Sequence, residues 1–445
     1  MEQQKKIEEP LYFMDLVVEN VRCFKEKQTV DLSNEEKRPA QWTIILGDNG
    51  TGKTTLLKCL AFLQPQKKEF ALDESGILYG IGLLGASFLD ITIKFFSEGN
   101  RRAFIRCNFF SEGKISSNTS KLKYFTRYEI SHLDSSYSGL IIEDFHEENI
   151  FIIAYGASRK MGTGSLTESR NPFPMATLFD ENASLINAEA WLLETDYAIK
   201  SAKGETKKYL QKHYKKVKET LQNLLPDVED FRIREITKTQ TQAAIEVKTP
   251  YGWVAMKNLS LGYQSFIAWV VDLAARLFER YPDSENPLEE PCIVLVDEID
   301  LHLHPKWQRK VIDFLTQIFK NAQFIVTAHS PLIVQSAENA NIVLLKREGD
   351  SVKIYNNKDE DVIKGWRVDQ ILTSDLFGLE SARPPKYDSY LKRKKEILEK
   401  DELSEKDKEE LEEIAKHLEE MPLGNELSND ALEALKKAAE ILKAQ

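Results

Sequence analysis

Residues Gly47-Asp48-Asn49-Gly50-Thr51-Gly52-Lys53-Thr54 set three glycines, a lysine and a hydroxyl at the spacing GxxxxGK[ST]. Glycines let successive backbone N–H groups curl around an anion, and the start of a following helix adds positive potential. A lysine at this spacing reaches terminal phosphate oxygens, and the next hydroxyl is a hard oxygen donor suited to Mg2+. Asn49, Gly50, Thr51, Gly52, Lys53, Thr54 and Thr55 are therefore expected to hold ATP, with Thr54 also on the metal. The flanks agree. A β-rich run, Trp42 to Leu46, precedes the loop, and a helical stretch with Leu56, Leu57, Leu60 and Leu63 follows.

A second constellation is Ile293-Val294-Leu295-Val296-Asp297-Glu298, an apolar strand tipped by two acids. Next to a phosphate loop, Asp297 is placed to hold the metal and Glu298 to act as general base toward the attacking water. The plainer alternative is an acid pair that caps the next helix. Ser260 and Gly262, in Leu259-Ser260-Leu261-Gly262-Tyr263-Gln264-Ser265, open an amphipathic helix (Phe266 to Phe278) whose N-terminus suits an anion. His329, in Thr327-Ala328-His329-Ser330, ends a buried strand from which an imidazole can touch a γ-phosphate.

These residues need a scaffold. The 445 residues exceed the usual size of one domain, and 42% apolar with 29% charged residues is the balance of a folded globular chain. The expected fold class is α/β. The opening stretch to Leu32 reads as an edge hairpin, and Ile77 to Ile153 as an antiparallel β lobe. Phe95 to Gly99 and Phe109 to Gly113 share turn chemistry there. A loop at Gly162 to Ser165 and an Asn171-Pro172 turn precede a helix with Leu210, Tyr214, Val217, Leu221 and Leu224 on one face. Cys292 to Val296 and Phe324 to Val326 read as parallel strands buried on both faces, flanking a helix that contains Trp307 to Phe319. Glu348-Gly349-Asp350 is a turn between strands. After Arg383 the chain turns Lys/Glu-rich, with Ser404 and Ser428 as N-caps of terminal helices. The domain expectation is 11–380, with an insertion at about 70–258, and a helical extension at 381–445.

Four separated cysteines suggest no disulfide framework or zinc ribbon, and fit a cytoplasmic protein. No run approaches membrane-spanning length, so no membrane partner is expected. The formal net charge of −11 argues against a uniformly basic nucleic-acid coat, though not against a local basic patch.

In their order, the phosphate loop, Ser/Gly helix start, acid-tipped strand and strand-end histidine resemble the ABC-type ATPase head of the RecF/SMC branch. Asn20-Val21-Arg22-Cys23-Phe24 looks like that branch's opening motif, which puts Arg22 at the nucleotide. The resemblance implies an ABC-type head with a P-loop core sheet, an antiparallel β lobe, a helical insertion and a C-terminal helical extension. It implies that Ser260 and Gly262 complete the site of a second subunit, making a homo-oligomer through the heads, and that His329 is the switch histidine. Tyr155-Gly156-Ala157-Ser158-Arg159 either stands where the family's Q-loop lies, although it contains no Gln, or is an ordinary exit from a strand into a loop. The signature reads LSLGYQS where the family has LSGGQ.

YGASR, LSLGYQS, DEIDLHLHP and TAHSPLIVQS together are similar to AAA-15/AAA-21-type ATPases of antiphage defence, among them those of the Septu and PARIS systems. That implies an effector nuclease of HNH or TOPRIM type, encoded nearby, which this ATPase senses for, scaffolds or regulates. No nuclease motif is read in the chain itself. The same motifs also fit a RecF-like ATPase that binds DNA as an ATP-dependent dimer, or an oligomer merely stabilised by nucleotide. Asp300, His302 and His304 alternate as metal ligands do, or simply form a loop at a subunit contact.

Overall fold

The computed structural model describes residues 10–62, 70–72, 78–80, 103–111, 123–130, 137–140, 150–162, 173–225, 227–239, 241–337, 339–357, 365–379, 381–382, 384–398, 400 and 404–419. Two compact units divide at Ile371/Leu372.

In the first unit the chain runs through β1 (Leu11–Glu19), β2 (Gln28–Asp31) and β3 (Trp42–Gly47). A short hairpin, β4 (Phe70–Leu72) and β5 (Leu78–Gly80), precedes β6 (Ala103–Ser111), β7 (Lys123–Ile130) and β8 (Tyr137–Leu140). Then come β9 (Ile152–Tyr155), β10 (Asp230–Ile233), β11 (Ile245–Thr249), β12 (Gly252–Ala255), β13 (Cys292–Val296), β14 (Ala322–Thr327), β15 (Asn341–Glu348) and β16 (Ser351–Asn357).

The central sheet has the order β16-β15-β3-β14-β13-β9, parallel except for the β15–β16 hairpin. Its inner strands read as continuous apolar runs because both faces are covered; every residue of β13 and β14 is buried. On one face, Ile45, Ile293, Leu295, Ile325 and Val343 share a core with Leu56, Leu57 and Leu60 of the Lys53–Phe62 helix and with Leu16, Val18 and Val30. Each such leucine stabilises the fold by about 2 kcal/mol. Strands β1 and β2 of the antiparallel sheet β2-β1-β6-β7-β8 contribute to that core. A buried polar clamp joins the sheets: Gln323 of β14 donates to Phe13 O (2.8 Å) and accepts from Phe13 N (2.9 Å), beside the bulge between Phe13 and Asp15.

Three expectations change. The opening hairpin is not at an edge through both strands, because β1 pairs with β6 on its other side. The expected lobe ends before β9, which pairs in parallel with β13 as an edge of the central sheet. The helix through Trp307 to Phe319 is two helices, Pro305–Gln308 and Val311–Ile318. Between them Lys310 N–H bonds Trp307 O at 2.8 Å, and the Gln308 side chain turns back to Asp300 O and Leu303 O.

The helix read from Leu210, Tyr214, Val217 and Leu221 spans Gly204–Leu224, and the one expected from Phe266 to Phe278 runs Leu261–Arg280. In the second unit, Asp388–Leu398 and Glu405–Glu419 are helices joined by a bidentate Arg393–Glu410 pair. Ser404 caps the latter as expected: its Oγ accepts from Asp407 N (3.2 Å), and Asp407 Oδ2 accepts from Ser404 N (3.0 Å). The Phe95–Gly99 turn, residues 163–165, the Asn171-Pro172 turn, Leu63 and the region past 419, including Ser428, lie outside the described residues.

Candidate functional site

The loop after β3 folds as its glycines require. Gly47, Gly50 and Gly52 have φ of 147°, 78° and 91°, values an L side chain rarely adopts. A Cβ on Gly52 would also lie 2.5 Å from Cys23 Sγ and 2.9 Å from the Phe24 ring. Cys23 and Phe24 belong to the tight turn closed by Val21 and Phe24 bonding each other's N–H and C=O at 2.9–3.0 Å. The opening motif is thus packed directly on the phosphate loop. Arg22 in that turn is exposed at φ 48°.

Lys53 is 7% exposed, and its ammonium donates to Gly47 O (2.7 Å) and Asp48 O (2.9 Å). Burial lowers its pKa, opposed by Asp297, Glu298, Asp48 and Asp300. Thr51 closes the loop by donating from Oγ1 to Asp48 O at 2.8 Å.

The acid-tipped strand meets this loop through a chain of short bonds. Thr54 Oγ1 donates to Asp297 Oδ2 (2.7 Å), and Thr327 Oγ1 donates to Asp297 Oδ1 (2.7 Å). Thr327 Oγ1 in turn accepts from Glu298 N (2.7 Å). Glu298 sits at φ 50°. On the far side Arg159, nearly fully buried, donates through Nη1 to Asp297 O and through Nη2 to Glu298 O (2.8 Å). Burial pushes its pKa down to about 10 against the pull of Asp297, Asp300 and Glu298, so it stays cationic at neutral pH.

Ser260 is the N-cap of the Leu261–Arg280 helix but makes no side-chain capping bond; it is exposed, and Leu261 beside it is 74% exposed. Gly262 has a specific reason to be glycine, since an added Cβ would fall under 3.0 Å from His302 O. The helix start is therefore seated on the turn that follows the acid pair. Further along, Ser265 Oγ donates to Arg159 O at 3.2 Å. Asp272, fully buried, accepts from Arg276 Nε (2.7 Å), Tyr155 Oη (2.9 Å) and Ile186 N (3.2 Å).

His329 is exposed, and its backbone N–H bonds both Asp300 oxygens at 3.2 and 3.3 Å. No metal cluster exists among the described residues: Asp300 serves His329 N–H, and His304 Nδ1 accepts from Lys306 N as a helix cap.

Bonds thus bring Thr54 and Asp297 together and join them to Glu298, while Arg22, Ser260 and His329 are exposed. Sequence reasoning did not single out Thr327, Asp272 or the part played by Arg159. A hydroxyl closing an apolar strand, and one acid with Arg at i+4 inside an apolar helix, were the available signals.

A parallel sheet whose strand ends carry a phosphate loop and an acid pair joined by hydrogen bonds has the build of a P-loop nucleotide-binding domain. Residues 43–335 match the family described as "AAA domain, putative AbiEii toxin, Type IV TA system", and the chain belongs to that family. It is 31% identical over 229 residues to the "Retron Ec83 probable ATPase" of Escherichia coli, covering 51% of this chain and 38% of the relative. It is 23% identical over 389 residues to "Septu protein PtuA" of Bacillus mycoides (strain KBAB4), covering 84% of this chain and 47% of the relative. The chain thus spans less than half the length of these relatives. Among solved structures, an Smc head bound to the C-winged helix domain of ScpA aligns with 79% of this chain and 99% of that one, at 16% identity and a TM-score of 0.44.

Proposed function

We propose that this chain hydrolyses ATP at a site completed by a second copy, and that the cycle controls an effector nuclease in defence against phages. The observation that carries the hydrolytic reading is the bonded series Thr54–Asp297–Thr327–Glu298 at the mouth of a glycine loop. Thr54 and Asp297 offer hydroxyl and carboxylate oxygens side by side, the donor type Mg2+ takes, and would hold it. That ion would neutralise charge on the terminal phosphates. Lys53 and the loop N–H groups bind and orient the same phosphates, and Glu298 accepts the proton of the attacking water. Exposed Ser260 and Leu261 at a helix start, with Gly262 seated on the turn after the acid pair, support the shared site. The names of the retron and Septu relatives, and the resemblance carried by YGASR and TAHSPLIVQS, support the defence role and the nuclease partner.

Phosphate release tests the chemistry. Glu298→Gln should lower it about 10²-fold or more while ATP still binds. Lys53→Ala and Ser260→Arg should each be inactive, yet regain activity when mixed, because a mixed dimer holds one intact site. No recovery on mixing would sink the shared site. Co-purification with the product of the neighbouring gene, with and without ATP, tests the nuclease link; a partner with no nuclease activity would refute it.

A further inference from the structure

The segment Tyr155-Gly156-Ala157-Ser158-Arg159 leaves β9 alongside β13, and the hydrolytic scheme above makes no use of it. Its last side chain is out of place on ordinary grounds. Arg159 is 3% exposed, and a buried guanidinium costs several kcal/mol unless its donors are used. Here they are spent on main-chain carbonyls: Asp297 O, Glu298 O at 2.8 Å and Gly156 O at 3.4 Å, with Nε left unpaired.

Two of those carbonyls flank one Cα. Asp297 C=O belongs to the peptide plane before Glu298, and Glu298 C=O to the plane after it. The first plane is gripped again from its other side, where Glu298 N–H bonds Thr327 Oγ1. Holding both planes fixes φ and ψ at Glu298, and so the direction of its side chain. The grip has something to resist, because φ of 50° costs a residue with a side chain about 1–2 kcal/mol. The carbonyl of Arg159 itself accepts from Ser265 Oγ, on the helix that opens with Ser260 and Gly262.

We propose that Arg159 is a positioning residue for Glu298, which sets the turn carrying the general base and ties it to the helix that begins at Ser260. This rests on the hydrolytic reading of Glu298. The test combines affinity for a fluorescent ATP analogue, single-turnover phosphate release, and backbone amide exchange without nucleotide in Arg159→Met, Arg159→Lys and Ser265→Ala. Arg159→Met should keep its affinity but lose about 10²-fold in rate, the cost of a reacting group displaced by about 1 Å. Lysine should restore part of the rate, since an ammonium lacks the two-pronged fork. Exchange should quicken over residues 297–301 and stay unchanged over 322–327. A full rate in Arg159→Met, equal losses of affinity and rate, or exchange raised alike in both segments would overturn the proposal. Should the Arg159 variants not fold, Ser265→Ala decides, because it keeps every guanidinium donor: exchange over 297–301 faster than wild type supports the link, and identical exchange refutes it. A wild type that releases no phosphate would sink the ATPase reading, while amide exchange would still judge Arg159.

Discussion

Thr327→Val is the sharpest test of how the site is held. Valine matches threonine in shape, so the fully buried position stays filled while two hydrogen bonds vanish. One was donated to the Asp297 carboxylate, a charge-assisted bond worth about 1.5–3 kcal/mol. The other satisfied Glu298 N–H, and leaving a sheltered donor unpaired costs about 1–3 kcal/mol. Relaxation and the easier burial of a methyl offset part of the sum, so a loss of about 2–4 kcal/mol is expected, a large share of a typical stability. Urea unfolding followed by circular dichroism and tryptophan fluorescence measures it. Thr327→Ser, which keeps the hydroxyl, should recover most of the loss. Phosphate release should drop with Thr327→Val, since the peptide plane before Glu298 loses one of its two anchors. If Thr327→Val unfolds within about 0.5 kcal/mol of wild type and releases phosphate at the same rate, Asp297 and Glu298 are held by other means and the reasoning fails.

Gly262→Ala should destabilise by about 1–3 kcal/mol through overpacking against His302 O, and should cut phosphate release more than ATP binding; an unchanged melting temperature would count against that packing. Asp272→Ala removes the buried carboxylate that Arg276 Nε and Tyr155 Oη bond, and thermal unfolding should show a loss of about 3–5 kcal/mol. His213, stacked on Phe278 at 4.5 Å, has its pKa pushed down to about 4 by burial and, secondarily, by Lys212. Between its ordinary 6.5 and 4 the unfolded chain takes up a proton that the folded chain refuses, so stability is lost as pH falls through that window. His213→Phe should flatten the profile there, and an unaltered slope would exclude His213 as its source.

Much of this was legible because the chemistry sits in contiguous motifs. Gly47 to Thr54 and Val296 to Glu298 announce themselves through local rules, glycines for a tight anion-binding turn and acids at the end of an apolar run. The Gly204–Leu224 and Leu261–Arg280 helices followed from the spacing of their apolar residues. Errors came where tertiary partners decide. β1 mixes buried and half-buried residues and is paired on both sides, and β9 is a four-residue run whose sheet cannot be told from its own composition. The break after Gln308 depends on carbonyls of residues 300 and 303 that lie earlier in the chain.

Strand order explains why the bridging residues were the ones sequence could not find. The loop follows β3 and the acid pair follows β13, but between those two strands in the sheet lies β14, which comes after both in the chain. A side chain at the end of β14 is therefore flanked by both motifs, and Thr327, with one donor and two acceptor sites on a single oxygen, can serve Asp297 and Glu298 together. On the other side β13 neighbours β9, so the residues just past β9 face the acid pair from the flank that β14 leaves open. Arg159 occupies that flank with a fork long enough to reach two successive carbonyls. The acid pair is thus clamped from both neighbouring strands by residues 138 and 29 positions away from Asp297 and Glu298 respectively. Any substitution that slips β9 against β13 should misdirect Glu298 without touching the phosphate loop.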